Sequence, residues 1–150
     1  MKEKHLIAFM QTAYAFADCS TARRLKVGCV IVKDNRIISI GYNGTPVGWD
    51  NNCESELYTT DADDQPKLIT RPQVLHAESN AIAKLARCTE SGEGATLVCT
   101  HAPCIDCSKL ILQTGIACVI YSEEYRSIEG LNFLNEGGVQ IIQCKVEFDT

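Results

Sequence analysis

The 150-residue chain is 45% hydrophobic and carries a formal net charge of −5, enough apolar content for one domain with a real core and no room for a second. Its acidic balance excludes broad polyanion binding, which relies on clustered lysine and arginine, but leaves space for a small anionic ligand held by a few local cations. No apolar run reaches the length of a membrane span, and Met1-Lys2-Glu3-Lys4-His5 leads into an amphipathic segment, so a cytoplasmic protein without membrane contact is expected.

Leu6, Phe9, Met10, Ala13, Tyr14, Phe16 and Ala17 recur at helical spacing and predict a first helix ending near Cys19-Ser20, its apolar face against a sheet. Val27 to Val32 and Ile37 to Ile40 are β-rich runs joined by Lys33-Asp34-Asn35-Arg36, the pattern of an antiparallel hairpin. From Gly41 to Pro72 periodicity fades while Gly, Pro, Asn and Asp accumulate, which predicts a long loop with the acidic tract Asp61-Ala62-Asp63-Asp64 as its solvated tip. A second helix is expected from Val74 to Arg87, then a strand from Ala95 to Thr100 and a helix from Cys104 to Gln113 stopped by Gly115. Ala117 to Tyr121 reads as a strand, Ile128 to Asn135 as a short helix and Val139 to Val146 as the last strand. A hairpin followed by strands alternating with helices implies a mixed α/β sheet whose last three strands are parallel, with helices on both faces.

The nine cysteines are odd in number, and Cys29, Cys99, Cys118 and Cys144 sit in apolar strand-like runs as reduced thiols rather than disulfide partners. Cys104 and Cys107 stand apart. After Pro103 they share one face of a first helical turn, where the helix terminus favours the thiolate. His76 offers an imidazole as third ligand, and two thiolates with one imidazole suit Zn2+ with a fourth position open to water. Glu78 is the candidate proton carrier, although two residues of regular helix turn a side chain by roughly 200°, so His76 is expected at an irregular first turn. A thioredoxin-like redox pair would leave His76 and Glu78 without a role. A structural site of Cys99, His101, Cys104 and Cys107 would need a strand residue to reach the metal; His101 can equally line a pocket. Arg23, Arg24 and Lys26 read equally as a solvated helix end and as phosphate contacts.

The H-x-E at 76–78 and P-C-x-x-C at 103–107, with Gly41-Tyr42-Asn43-Gly44-Thr45-Pro46 and the run His76 to Ile82, resemble the deoxycytidylate deaminases of the zinc-dependent cytidine/deoxycytidylate deaminase family over nearly the whole chain. The resemblance implies a cytidine deaminase-like three-layer α-β-α fold with a five-stranded mixed sheet, residues 1–150 forming a single domain. It implies Zn2+ on His76, Cys104 and Cys107, and Glu78 moving protons while dCMP is hydrolysed to dUMP for dTMP synthesis. Substrate contacts at Lys26, Asn43 and Tyr125 follow from the same resemblance. So do an allosteric nucleotide site at Gly44 and Gly48, with dCTP activating and dTTP inhibiting, and a homo-oligomer such as a hexamer. A second, structural zinc near the end of the first helix would draw on Cys19 and Cys53, completed by Glu54 or His5. The alternatives are a tRNA adenosine deaminase, a free cytidine deaminase, and a zinc-stapled binding module without turnover. For a single phosphate, Arg23, Arg24, Lys26 and Arg126 are the available cations.

Overall fold

Asp34 and Asn35 take positive φ values of 51° and 59°, a two-residue reversal whose twist matches that of the strands it joins. Around it the computed structural model, which describes residues 1–58 and 65–148, builds the hairpin β1 (Gly28–Lys33) and β2 (Arg36–Tyr42). Helix α1 (Glu3–Ala17) precedes the hairpin, and β3 (Glu54–Leu57) and β4 (Lys67–Thr70) follow it. The chain then alternates through α2 (Ala77–Leu85), β5 (Thr96–His101), α3 (Ile105–Gln113), β6 (Cys118–Glu123), α4 (Glu129–Glu136) and β7 (Gln140–Gln143). The main sheet runs β2-β1-β5-β6-β7: β1 is antiparallel to both of its neighbours, and β5, β6 and β7 are parallel.

Strand alternation divides the core in two. Val30, Val32, Val98 and Ile120 point to one face, where Met10 of α1 packs on them. Cys29, Ile31, Leu97, Cys99 and Val119 point to the other, under Ala81 of α2, Ile111 of α3 and Leu134 of α4. The three-layer α-β-α arrangement and the parallel half of the sheet are those expected from the order of elements.

Helix α2 lies hard on the sheet edge. A Cβ placed on Gly41 would stand 2.2 Å from the Ala77 carbonyl oxygen, so only glycine permits this approach. Ser39 Oγ donates to the Ala81 carbonyl at 2.7 Å and Cys29 Sγ to that of Ala77 at 3.2 Å, fastening the same seam.

Three expectations need correction. The stretch from Gly41 to Pro72, expected as a loop, contains β3 and β4, a two-stranded antiparallel sheet in which Glu54 faces Thr70 and Leu57 faces Lys67. Each strand has four residues and mixes charged with apolar side chains, so neither shows hydrophobic alternation. Helix α2 begins at Ala77 rather than near Val74, because Gly44 and Leu75 exchange backbone hydrogen bonds of 3.1 and 2.8 Å that keep the chain extended up to the helix. Strand β7 stops at Gln143, where the Gln143 side chain donates to the Ser122 carbonyl at 3.1 Å, instead of continuing to Val146.

The acidic tract Asp61 to Asp64 lies outside the described residues. All nine cysteines are free, with Cys29 and Cys99 buried and Cys118 and Cys144 partly so. Among the described residues, no helix is long and apolar enough to cross a membrane.

Candidate active site

Two helix N-termini meet at the ends of the sheet strands. His76 is the N-cap of α2, with extended backbone at φ −77° and ψ 153°, and Cys104 is the N-cap of α3 at φ −71° and ψ 171°. The extended caps decide where the side chains go. Because His76 stands outside the helical geometry, it and Glu78 both line one cavity rather than facing opposite ways. Cys104 Sγ accepts the Cys107 N–H at 3.5 Å, so the cap that starts α3 also places its two sulfurs side by side.

His76 Nδ1 lies 3.5 Å from Cys104 Sγ and 3.4 Å from Cys107 Sγ, and all three donor atoms fall within 4.8 Å of one another. Around a tetrahedral zinc, neighbouring nitrogen and sulfur ligands are about 3.5 Å apart, given Zn–N and Zn–S bonds of about 2.0 and 2.3 Å. The residues present therefore fit zinc in both chemistry and spacing.

The three donors are electrostatically coupled to one another. A hydrogen bond from the Cys107 thiol, helped by His76 and the Cys107 N–H, holds Cys104 down to about 4 against the opposing effect of burial. Cys107 is pushed far up, first by its bond to Cys104 and then by burial. The bond to Cys104 also raises His76. Glu78 is buried, and burial raises its carboxyl above the usual range, while Cys99 Sγ donates to its Oε1 at 3.0 Å. Burial lowers His101, whose Nδ1 lies 2.8 Å from Thr100 Oγ1. His101 lines the cavity, but neither it nor Cys99 belongs to the donor trio.

The other expected residues divide. Asn43 lines the cavity and brackets Lys26: its Oδ1 accepts the Val27 N–H and its Nδ2 donates to the Leu25 carbonyl, both at 2.8 Å. Lys26 itself is exposed and is not among the lining residues. Tyr125 lines the mouth, with the Arg126 guanidinium 5.5 Å from its ring centre. Gly44 and Gly48 lie outside the cavity; the Gly44 N–H is given to Leu75, and Gly48 takes φ 86° with open space beside it.

Glu54 and Thr70 also line the cavity, and nothing in their local sequence marked them as lining residues. A lone glutamate in an acid-rich stretch reads as solvated, yet Glu54 is 2% exposed. For a second zinc, Cys19 is exposed, Cys53 is buried beside Thr21 Oγ1, and Glu54 Oε1 is taken by the N–H groups of Arg23 and Arg24. Among the described residues, His76, Cys104 and Cys107 are the one group of three such donors within 4.8 Å of one another.

Known proteins resemble this chain in sequence and in fold. The family model for the cytidine and deoxycytidylate deaminase zinc-binding region matches residues 3–123. Deoxycytidylate deaminase of Saccharomyces cerevisiae is 39% identical over 136 residues, covering 90% of this chain, while the chain spans only 43% of the yeast protein. Deoxycytidylate deaminase of Mycobacterium phage D29 is 40% identical over 120 residues, which cover 77% of this chain and 92% of the phage protein. Among solved structures, dCMP deaminase from the cyanophage S-TIM5 in complex with dCMP and dUMP superposes with a TM-score of 0.85 at 42% identity, covering 96% of this chain and 99% of that one. The family match runs through both halves of the donor trio, and the fold that brings them together superposes on the cyanophage enzyme over nearly its whole length: the chain belongs to the cytidine and deoxycytidylate deaminase family.

Proposed function

We propose that residues 1–150 form one zinc-dependent domain that hydrolyses dCMP to dUMP. The observation that carries this reading is the convergence of His76, Cys104 and Cys107, with buried Glu78 lining the same cavity as His76 and Cys104 and with Arg24 and Arg126 at its mouth. The nucleotides bound by the cyanophage relative support the choice of substrate.

When bound by the trio, zinc supplies Lewis acidity that makes water nucleophilic near neutral pH. Glu78 takes a proton from the attacking water and delivers it to N3 of the cytosine ring, which activates C4. Glu78 next takes the remaining proton from the oxygen now bonded to C4 and gives it to the amino group, so the C4–N bond breaks, ammonia leaves and the C4 carbonyl of dUMP forms. Burial suits Glu78 to this work by letting it hold a proton between the two transfers.

Arg24 and Arg126 line the outer cavity, and neither forms an ion pair among the described residues. Arg23 is occupied: its Nε lies 3.5 Å from Glu54 and its Nη1 3.2 Å from Glu56. The 5′-phosphate therefore falls to Arg24 and Arg126, with Lys26 further out. Arg24→Ala is expected to raise the dCMP KM about ten- to a hundredfold, the contribution of one charge-assisted hydrogen bond, with a much smaller change for deoxycytidine. Lys26→Ala should do less. Ammonia release measured across cytosine, deoxycytidine, dCMP, dCTP and a tRNA stem-loop tests the whole reading. Equal specificity constants for dCMP and deoxycytidine would contradict it, and release from the stem-loop would put long nucleic acid in place of the nucleotide.

The same reading extends to dUMP supply for dTMP synthesis in the cytoplasm and to a homo-oligomer, a hexamer by likeness, controlled at the Gly44–Gly48 loop. There dCTP is expected to lower the dCMP concentration needed for half-maximal rate and dTTP to raise it. Flat kinetics with both effectors would remove regulation from this chain.

A further inference from the structure

We propose that the Glu54–Thr70 rung of the small β3–β4 sheet aims Arg24 at the mouth of the cavity, making Glu54 and Thr70 positioning residues for recognition of the substrate phosphate. The inference rests on the phosphate reading of Arg24 given above. Glu54 is a buried carboxylate, and such a group is costly unless its oxygens are occupied. Its Oε1 accepts the backbone N–H of Arg23 at 2.8 Å and of Arg24 at 3.0 Å. Its Oε2 makes no hydrogen bond and has the Arg23 Nε at 3.5 Å.

Thr70 stands directly opposite Glu54 in the sheet register, and its Oγ1 accepts from Arg24 Nη1 at 3.3 Å. One rung thus holds Arg24 at both ends, by its backbone amide and by its guanidinium. The two adjacent arginines are given different tasks. Arg23 carries the charge opposite Glu54, whereas Arg24 meets only the neutral Thr70 hydroxyl and keeps its charge and its remaining donors for a ligand. The base of the sheet is itself tied down, since Arg71 donates to Asp50 Oδ1 at 2.9 Å and to the Asn52 carbonyl at 2.8 Å.

The test measures kcat and KM for dCMP and for deoxycytidine in the zinc-loaded protein carrying Glu54→Ala, Glu54→Gln, Thr70→Val or Arg24→Ala, and in the doubles with Arg24→Ala. Glu54→Ala and Thr70→Val should each raise the dCMP KM by about two- to tenfold, the range for one hydrogen bond, with smaller changes in kcat and in the deoxycytidine KM. Glu54→Gln, which keeps an acceptor for the two amides, should restore most of the loss. In the Arg24→Ala background both effects should vanish, which a general structural role would not produce. Effects that persist in that background, or that are equal for the two substrates, would overturn the inference. If Glu54→Ala does not fold, the near-isosteric Thr70→Val decides on the same criteria. An Arg24→Ala protein with normal dCMP kinetics would strike the phosphate reading itself. Impaired Arg24→Ala beside normal Thr70→Val and Glu54→Ala would strike only the inference drawn from the rung.

Discussion

Glu78→Gln is expected to keep one zinc per chain and to lose about two to four orders of magnitude in turnover, the usual contribution of a placed proton carrier. Glutamine has nearly the volume of glutamate, and its amide oxygen can still accept from Cys99 Sγ, so the buried position stays filled and bonded. The change also removes a carboxylate from a site where burial already disfavours the charged form, so no loss of thermal stability is expected. Ammonia release and metal analysis on the same sample separate the two effects. Full turnover in a zinc-replete Glu78→Gln protein would take Glu78 out of the reaction.

His76→Ala and Cys104→Ala should each bring the purified protein below one zinc per chain and abolish most activity, because two protein ligands hold the ion far less well than three. A second readout follows from linkage. A metal that binds only the folded state adds stability, so chelator should lower the melting temperature of the parent protein and leave that of either variant nearly unmoved. Normal zinc content in both variants would show that the ion sits elsewhere.

The main sheet was legible because its strands are runs of Val, Ile and Cys punctuated by turn residues, and α1 because Met10, Ala13 and Ala17 repeat at helical spacing. His76, Glu78, Cys104 and Cys107 were joined in sequence by likeness to the paired H-x-E and P-C-x-x-C motifs of a known family, and each motif sits at the head of a helix that follows an extended segment. The small sheet was hidden for a physical reason. Its stability depends on contacts between residues far apart in the chain, Glu54 with the Arg23–Arg24 amides and Arg71 with Asp50, and such contacts leave no periodic trace. Glu54 shows the limit most clearly: a buried carboxylate and a solvated one look alike until the groups that face it are known. The gap between Lys26 and the cavity is of the same kind, for a strand entry fixes which neighbouring cation turns inward and sequence does not reveal the turn.

The close seating of α2 on β2 at Gly41 separates parts of this scaffold that can drift from parts that cannot. Any side chain at Gly41 would lift the start of α2 and carry His76 and Glu78 away together, so two of the residues proposed for the reaction would be displaced in one step. The mouth is built on other elements: Thr70 ends the short strand β4 and Arg126 lies in the loop after β6. Libraries aimed at a different 5′ substituent therefore have positions 70 and 126 to vary, where the phosphate grip is what changes, and a glycine at 41 that selection should be expected to return unchanged.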